Sequence, residues 1–109
     1  MKLMIAVVQD EDASKLVGAL MDAGFGVTKL ATTGGFLRAG NTTVLVGVED
    51  ELLAGALDVV EKTCKSRKAM TTVPTSAGGT PASFMSFPVE VNVGGATVFV
   101  LNVEQFIKH

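Results

Sequence analysis

The sequence predicts an α+β domain in which two helices cover one face of an antiparallel sheet. Three observations carry that prediction. Short apolar runs rich in branched side chains alternate with two amphipathic stretches of helical period. The order reads strand, helix, strand, strand, helix, strand, with the last strand expanded into a hairpin. Finally, a chain of 109 residues, 48% hydrophobic and 18% charged, has material for one modest core and is too apolar to remain disordered.

Leu3 to Val8 is the first strand, apolar on both faces as a central strand is. From Asp12 the period changes: Leu16, Val17, Leu20 and Met21 recur at helical spacing, with Asp10 or Asp12 as the expected cap and Gly24 as the left-handed stop. Val27 to Thr33 is β-branched and leads into Gly34-Gly35, and Asn41 to Val48 has the same character. These two strands are expected to pair across the glycine-rich connection. A second helix follows Asp50, its expected cap, with Leu53, Leu57, Val60 and Cys64 as one stripe widened by Leu52, Ala56 and Val59. Asp58 with Lys62 and Glu61 with Lys65 have the acid-before-base spacing that supports a helix. Lys62, Lys65, Arg67 and Lys68 crowd its C-terminal end, where the helix dipole favours cations.

Ala69 to Phe87 mixes Thr, Ser, Pro and Gly with few periodic apolar positions and is expected to be a long loop. Its apolar end, Phe84-Met85-Ser86-Phe87, could dock a partner, close over a ligand or tuck onto its own core. Beyond Pro88, Val89, Val91 and Val93 alternate with Glu90 and Asn92. Gly94-Gly95 then supplies a two-residue turn, and Ala96 to Val103 is expected to return as the partner strand. The plan is ferredoxin-like βαββαβ with an extra C-terminal hairpin strand. Two helices cover only one sheet face, so the other calls for a cover, and self-association supplies the simplest one.

Composition excludes several classes of function. Nine Lys plus Arg against eleven Asp plus Glu give a net charge of -2, which argues against a nucleic-acid polymer as partner. The apolar N-terminus is too short for a signal-peptide core, and no run approaches the roughly 18 residues that would cross a bilayer. With a single cysteine, Cys64, no internal disulfide is available, and a cytoplasmic protein without membrane insertion is expected. One terminal His and one Cys give zinc nothing to build on, so no metal site is expected. Catalysis is poorly supplied too: there is no Tyr, no Ser with a His and acid constellation, and carboxylate pairs fall at helix starts where capping explains them. The chain reads as a binding protein and not as an enzyme.

The most unusual segment runs from Ala31 to Thr42. Gly35 to Thr42 approximates a phosphate loop, but Asn41 replaces the lysine and a strand follows where a helix is required. A nucleoside triphosphatase is thereby excluded. What remains is a three-glycine loop whose backbone N–H groups can converge on an anion, with Arg38 or Lys29 adding charge and Phe36 placed to stack on a nucleobase. The same residues also suit a plain hairpin turn.

Ala6-Val7-Val8-Gln9-Asp10, then Val27 to Leu37, Ala39-Gly40-Asn41-Thr42-Thr43, Gly47-Val48-Glu49-Asp50, Pro88-Val89-Glu90-Val91 and Val93 to Leu101 occur in an order and spacing that closely resembles the PII-like cyclic di-AMP receptor family of Gram-positive bacteria. The resemblance covers essentially the whole chain. It implies a single PII-like domain over residues 1–109 that assembles as a homotrimer, with the second messenger held in clefts between subunits. Gly34 to Gly40 would be the short T-loop and Ala69 to Phe87 the long B-loop, both mobile until ligand orders them. Position by position, Thr28, Gly35, Phe36, Leu37, Asn41 and Gly47, with Phe99 from the hairpin, match ligand-contacting positions. Phe36 would take adenine, Asn41 and Thr28 would hydrogen-bond, and Gly35 and Gly47 would allow close backbone approach.

The chain departs from the family at Gly24-Phe25-Gly26, where the resemblance implies a polar residue first and an arginine last. A missing guanidinium removes a charge-assisted contact of about 1.5–3 kcal/mol, for which Arg38 and Lys29 are the nearest substitutes in sequence. The expected function is non-enzymatic signal transduction, without a cofactor, through cyclic di-AMP and an unidentified downstream protein. The alternatives are a PII-type sensor of ATP and a metabolite, or a protein interaction module that needs no small ligand.

Overall fold

A computed structural model describes residues 1–31, 40–76 and 84–109. The elements are β1 (Lys2–Gln9), α1 (Asp10–Asp22), β2 (Val27–Ala31), β3 (Asn41–Val48), a 3-10 turn (Asp50–Leu52), α2 (Leu53–Cys64), β4 (Arg67–Ser76), β5 (Phe84–Val93) and β6 (Ala96–Asn102). The main sheet has the order β2-β3-β1-β6, and each neighbouring pair in it is antiparallel. Both helices pack on one face, which is the ferredoxin-like arrangement expected.

Alternation along the strands separates the two faces. Met4, Ala6 and Val8 of β1 and Val44, Val46 and Val48 of β3 are buried, together with Ala13, Leu16 and Leu20 of α1 and Ala56, Val60 and Cys64 of α2. Val27, Leu53, Leu57 and Val98 border that core. The helical stripes are thus as their spacing predicts, except that Met21 and Leu52 at the stripe edges are more than half exposed. Gly24 ends α1 with φ 93°, as expected of a left-handed stop.

The expected caps do not form. Gln9 is the N-cap of α1 and makes no side-chain cap bond, because the acids that follow it are committed elsewhere. Asp12, 1% exposed, forms an ion pair with Arg67. Asp50 opens the 3-10 turn and pairs at 3.0 Å with the Met1 ammonium, a bond that lowers its pKa below the ordinary value. The basic cluster is also largely spoken for. Lys62 pairs with Asp58 at 2.9 Å, Arg67 with Asp12 at 2.8 Å and Lys68 with Glu90 at 3.2 Å, and only Lys62 of these three belongs to the helix.

Two expectations about the C-terminal third are corrected. Of the stretch expected as a long loop, residues 69–76 and 84–87 are strand, in an antiparallel ribbon whose register runs from Arg67 opposite Val93 to Ser76 opposite Phe84. Residues 77–83 lie outside the described residues. So does the docking expected of the side chains of Phe84 to Phe87, whose backbone begins β5. The two prolines of the ribbon share one parity. Pro88 opposite Thr72 and Pro74 opposite Ser86 are two rungs apart, hence in the same class of pair, and in the non-hydrogen-bonded class a proline forfeits no ladder bond.

The second correction concerns the hairpin expected across Gly94-Gly95. β5 and β6 do not pair with each other: β5 pairs with β4, while β6 pairs with β1. The glycines, at φ 80° and 88°, turn the chain from one sheet into the other. The β4–β5 ribbon is therefore an arm inserted between α2 and the closing strand, and the molecule measures 64 × 26 × 20 Å.

Candidate functional site

The face of the main sheet opposite the helices carries no covering element among the described residues. Register assigns its rows, since directly paired residues share a face. One row reads Thr28, Leu45, Ile5, Phe99 and the next Leu30, Thr43, Val7, Thr97. Gly47 pairs with Leu3, and Asn41 pairs with Gln9 at the opposite end. The result is a largely apolar surface on which Phe99 is 54%, Leu101 48% and Leu30 44% exposed.

Four of the seven site residues expected from sequence, Thr28, Asn41, Gly47 and Phe99, fall on this one face. The face does not gather them to a point. Asn41 and Gly47 are six residues apart on β3, or about 20 Å. Thr28 and Phe99 are separated by three strand spacings, about 14 Å. The other three, Gly35, Phe36 and Leu37, lie outside the described residues, as does Arg38. Lys29 is described, and the expectation for it is corrected. It pairs with Val44 and so shares the helix-side face, one position out of phase with Thr28, and cannot stand in for a guanidinium beside Thr28. Position 26 is open: a Cβ built there meets nothing within 4 Å.

At the Asn41 end lies a cleft of about 280 Å³ lined by Val7, Val8, Gln9, Asn41, Gly94, Gly95, Ala96 and Thr97. Among the described residues no charged side chain lines it. Such walls offer amide and carbonyl groups beside aliphatic surface, which suits a neutral hydrogen-bonding ring better than a phosphate. The start of α1 close by is no better for an anion, because Asp10, Glu11 and Asp12 fill its first turn.

The cleft wall is held by a compact polar network. Gly94 N–H donates to Gln9 Oε1 at 2.7 Å, and Gly95 N–H donates to the Cys64 carbonyl. Arg67 is bidentate on Asp12, with Nη2 to Oδ1 at 2.8 Å and Nη1 to Oδ2 at 3.3 Å, and Nη1 also donates to the Lys65 carbonyl at 3.2 Å. Gly94 sits inside this knot: a Cβ there would lie 2.5 Å from Arg67 Nη1 and 2.8 Å from the Lys65 oxygen. On the other side of the cleft, Asp10 N–H donates to the Gly40 carbonyl at 2.9 Å, and Thr42 Oγ1 donates to Asp10 Oδ1 at 2.5 Å.

Sequence reasoning did not place Gln9, Gly94 or Thr97 at a site. Only their presence in the motifs that carry the family resemblance pointed to them. Cys64 lies beneath, buried, its thiol pKa pushed up to about 11 first by burial and then by the Asp12 charge. Such a thiol is a packing group and not a nucleophile. Among the described residues no group of three or more His, Cys, Asp or Glu side chains could hold a metal ion, and no helix is long and apolar enough to cross a membrane.

Two comparisons bear on this geometry. A family model described as "Cyclic-di-AMP receptor" matches residues 1–109. A crystal structure of a protein of unknown function from Pediococcus pentosaceus ATCC 25745 is similar over 99% of this chain and 96% of that one, with 42% sequence identity and a TM-score of 0.76.

Proposed function

Since the chain belongs to the cyclic-di-AMP receptor family, we propose that it binds cyclic di-AMP at the interfaces of a homotrimer and signals by ordering its loops, without catalysis or a cofactor. The whole-chain family match carries this reading. The geometry supports it at one point: Thr28, Asn41, Gly47 and Phe99 lie on a sheet face that is largely apolar and carries no covering element among the described residues. Residues spread over about 20 Å of one sheet serve a single small ligand when a neighbouring subunit completes the cleft, and the same association would cover the apolar face. The cleft beside Asn41, uncharged among the described residues, takes an adenine. A downstream protein then reads the ordered loops in the cytoplasm, because contacts made only with ligand bound shift the loop population.

The test is isothermal titration with cyclic di-AMP, cyclic di-GMP and ATP, combined with sedimentation of the same sample. The expected result is one cyclic di-AMP per subunit of a trimer, little heat from the other two nucleotides, and at least about tenfold weaker binding by Asn41→Ala, the loss of roughly one hydrogen bond to a polar ligand. Saturable binding of ATP alone, or a monomer that binds nothing, overturns the reading.

A further inference from the structure

We propose that Asp10 is the positioning residue for Asn41, and so sets the affinity of the site without touching the ligand; this rests on the reading above. Asn41 stands where the 32–40 connection enters β3, at the last rung of the β1–β3 ladder opposite Gln9. Past that rung Asp10, the residue after Gln9, holds the chain on either side of Asn41. Its backbone N–H binds the carbonyl of Gly40 at 2.9 Å, and its carboxylate Oδ1 accepts the hydroxyl of Thr42 at 2.5 Å. The two chain neighbours of Asn41 are therefore clamped by one residue, from one atom of its main chain and one of its side chain.

Three further details bear on the arrangement. Thr42 is 4% exposed and points to the helix side, so its hydroxyl needs a partner, and Asp10 supplies one. Gly40 lies so close that a Cβ there would stand 1.9 Å from Asp10 Oδ2, so a side chain at position 40 would require the Asp10 carboxylate to shift. Lastly, α1 makes no side-chain cap bond at its N-cap. The acid at the head of the helix is directed at β3 rather than used to cap its own helix. Asn41 alternates with Thr42 along the strand, so fixing Thr42 toward the core fixes Asn41 toward the open face and its cleft.

A positioning role is separable from a purely structural one by a double-mutant cycle on cyclic di-AMP affinity. Asp10→Ala, Thr42→Val, the double variant and Asp10→Asn are titrated beside the wild type, with thermal unfolding of each at one protomer concentration. The expected result is about tenfold weaker binding by each single variant and no further loss in the double variant, since both break the same bond. Asp10→Asn, which keeps an acceptor oxygen for Thr42, is expected within about threefold of wild type. Wild-type affinity in both folded single variants overturns the inference alone, and so do multiplying effects in the double variant. Absence of cyclic di-AMP binding by the wild type overturns the parent reading, and this one with it.

Discussion

Gly94→Ala is the substitution that tests most directly how the arm is fastened. Residue 94 has φ 80°, a conformation that costs an L side chain about 1–2 kcal/mol. Its Cβ would overlap the Lys65 carbonyl oxygen at 2.8 Å, a backbone atom that cannot step aside, and Arg67 Nη1 at 2.5 Å. Relief requires the corner to move, which stretches the 2.7 Å bond from Gly94 N–H to Gln9 Oε1, a bond of about 0.5–1.5 kcal/mol. Together these give a loss of about 1.5–3.5 kcal/mol, or a melting temperature lower by about 6–28 °C for a domain of this size. The assay is thermal and urea unfolding at one fixed protomer concentration, because association adds to apparent stability. Gly26→Ala, where a Cβ meets nothing within 4 Å, is the control and is expected within about 0.5 kcal/mol of wild type. A Gly94→Ala protein as stable as that control would refute the account of the knot.

Gly26→Arg is expected to bind cyclic di-AMP about 10- to 100-fold more tightly than wild type, as a charge-assisted contact permits; titration of the two proteins side by side checks it, and equal affinity would count against a guanidinium role at that position. The Cys64 thiol, raised from 9.0 to about 11, carries about a hundredfold less thiolate at pH 8 than an unperturbed cysteine. Labelling by an aromatic disulfide reagent should be slower by at least that factor in native protein and reach the rate of a free thiol in urea. Between pH 9.0 and about 11 the unfolded chain loses this proton and the folded one keeps it. The contribution of Cys64 to stability is therefore full below pH 9 and falls as the pH rises through that window, which urea titrations at pH 8 and pH 10.5 would reveal.

The elements that build the core were legible because their periods are imposed by burial. Leu16 and Leu20, or Ala56, Val60 and Cys64, repeat at the helical period because each must face the sheet. The arm was not legible for the same reason inverted. Thr71, Thr72, Pro74 and Thr75 carry no alternation of apolar and polar residues, so they read as loop. The partner of β5 was misread because two consecutive positive-φ glycines announce a reversal without saying which strand each leg joins, and that choice is made by distant pairing. Asp12 had every local mark of a cap. Its true partner, Arg67, is 55 positions away, a distance over which no local pattern carries information. Of the candidate site, the shared face was implicit in strand parity, since Asn41 and Gly47 are an even number of residues apart. The cleft was not, because the Gly94-Gly95 corner and Gln9 meet across 85 positions.

The ribbon has the proportions of a lever. Ten paired rungs at the strand rise make a span of about 30 Å, and its base is pinned by Asp12 on Arg67, Gln9 on Gly94 and Cys64 on Gly95. Simple trigonometry converts a tilt of about 10° at that base into a displacement of about 5 Å at the last rung. By geometry alone, a small change in the contacts at the foot would be magnified at a surface about three nanometres away.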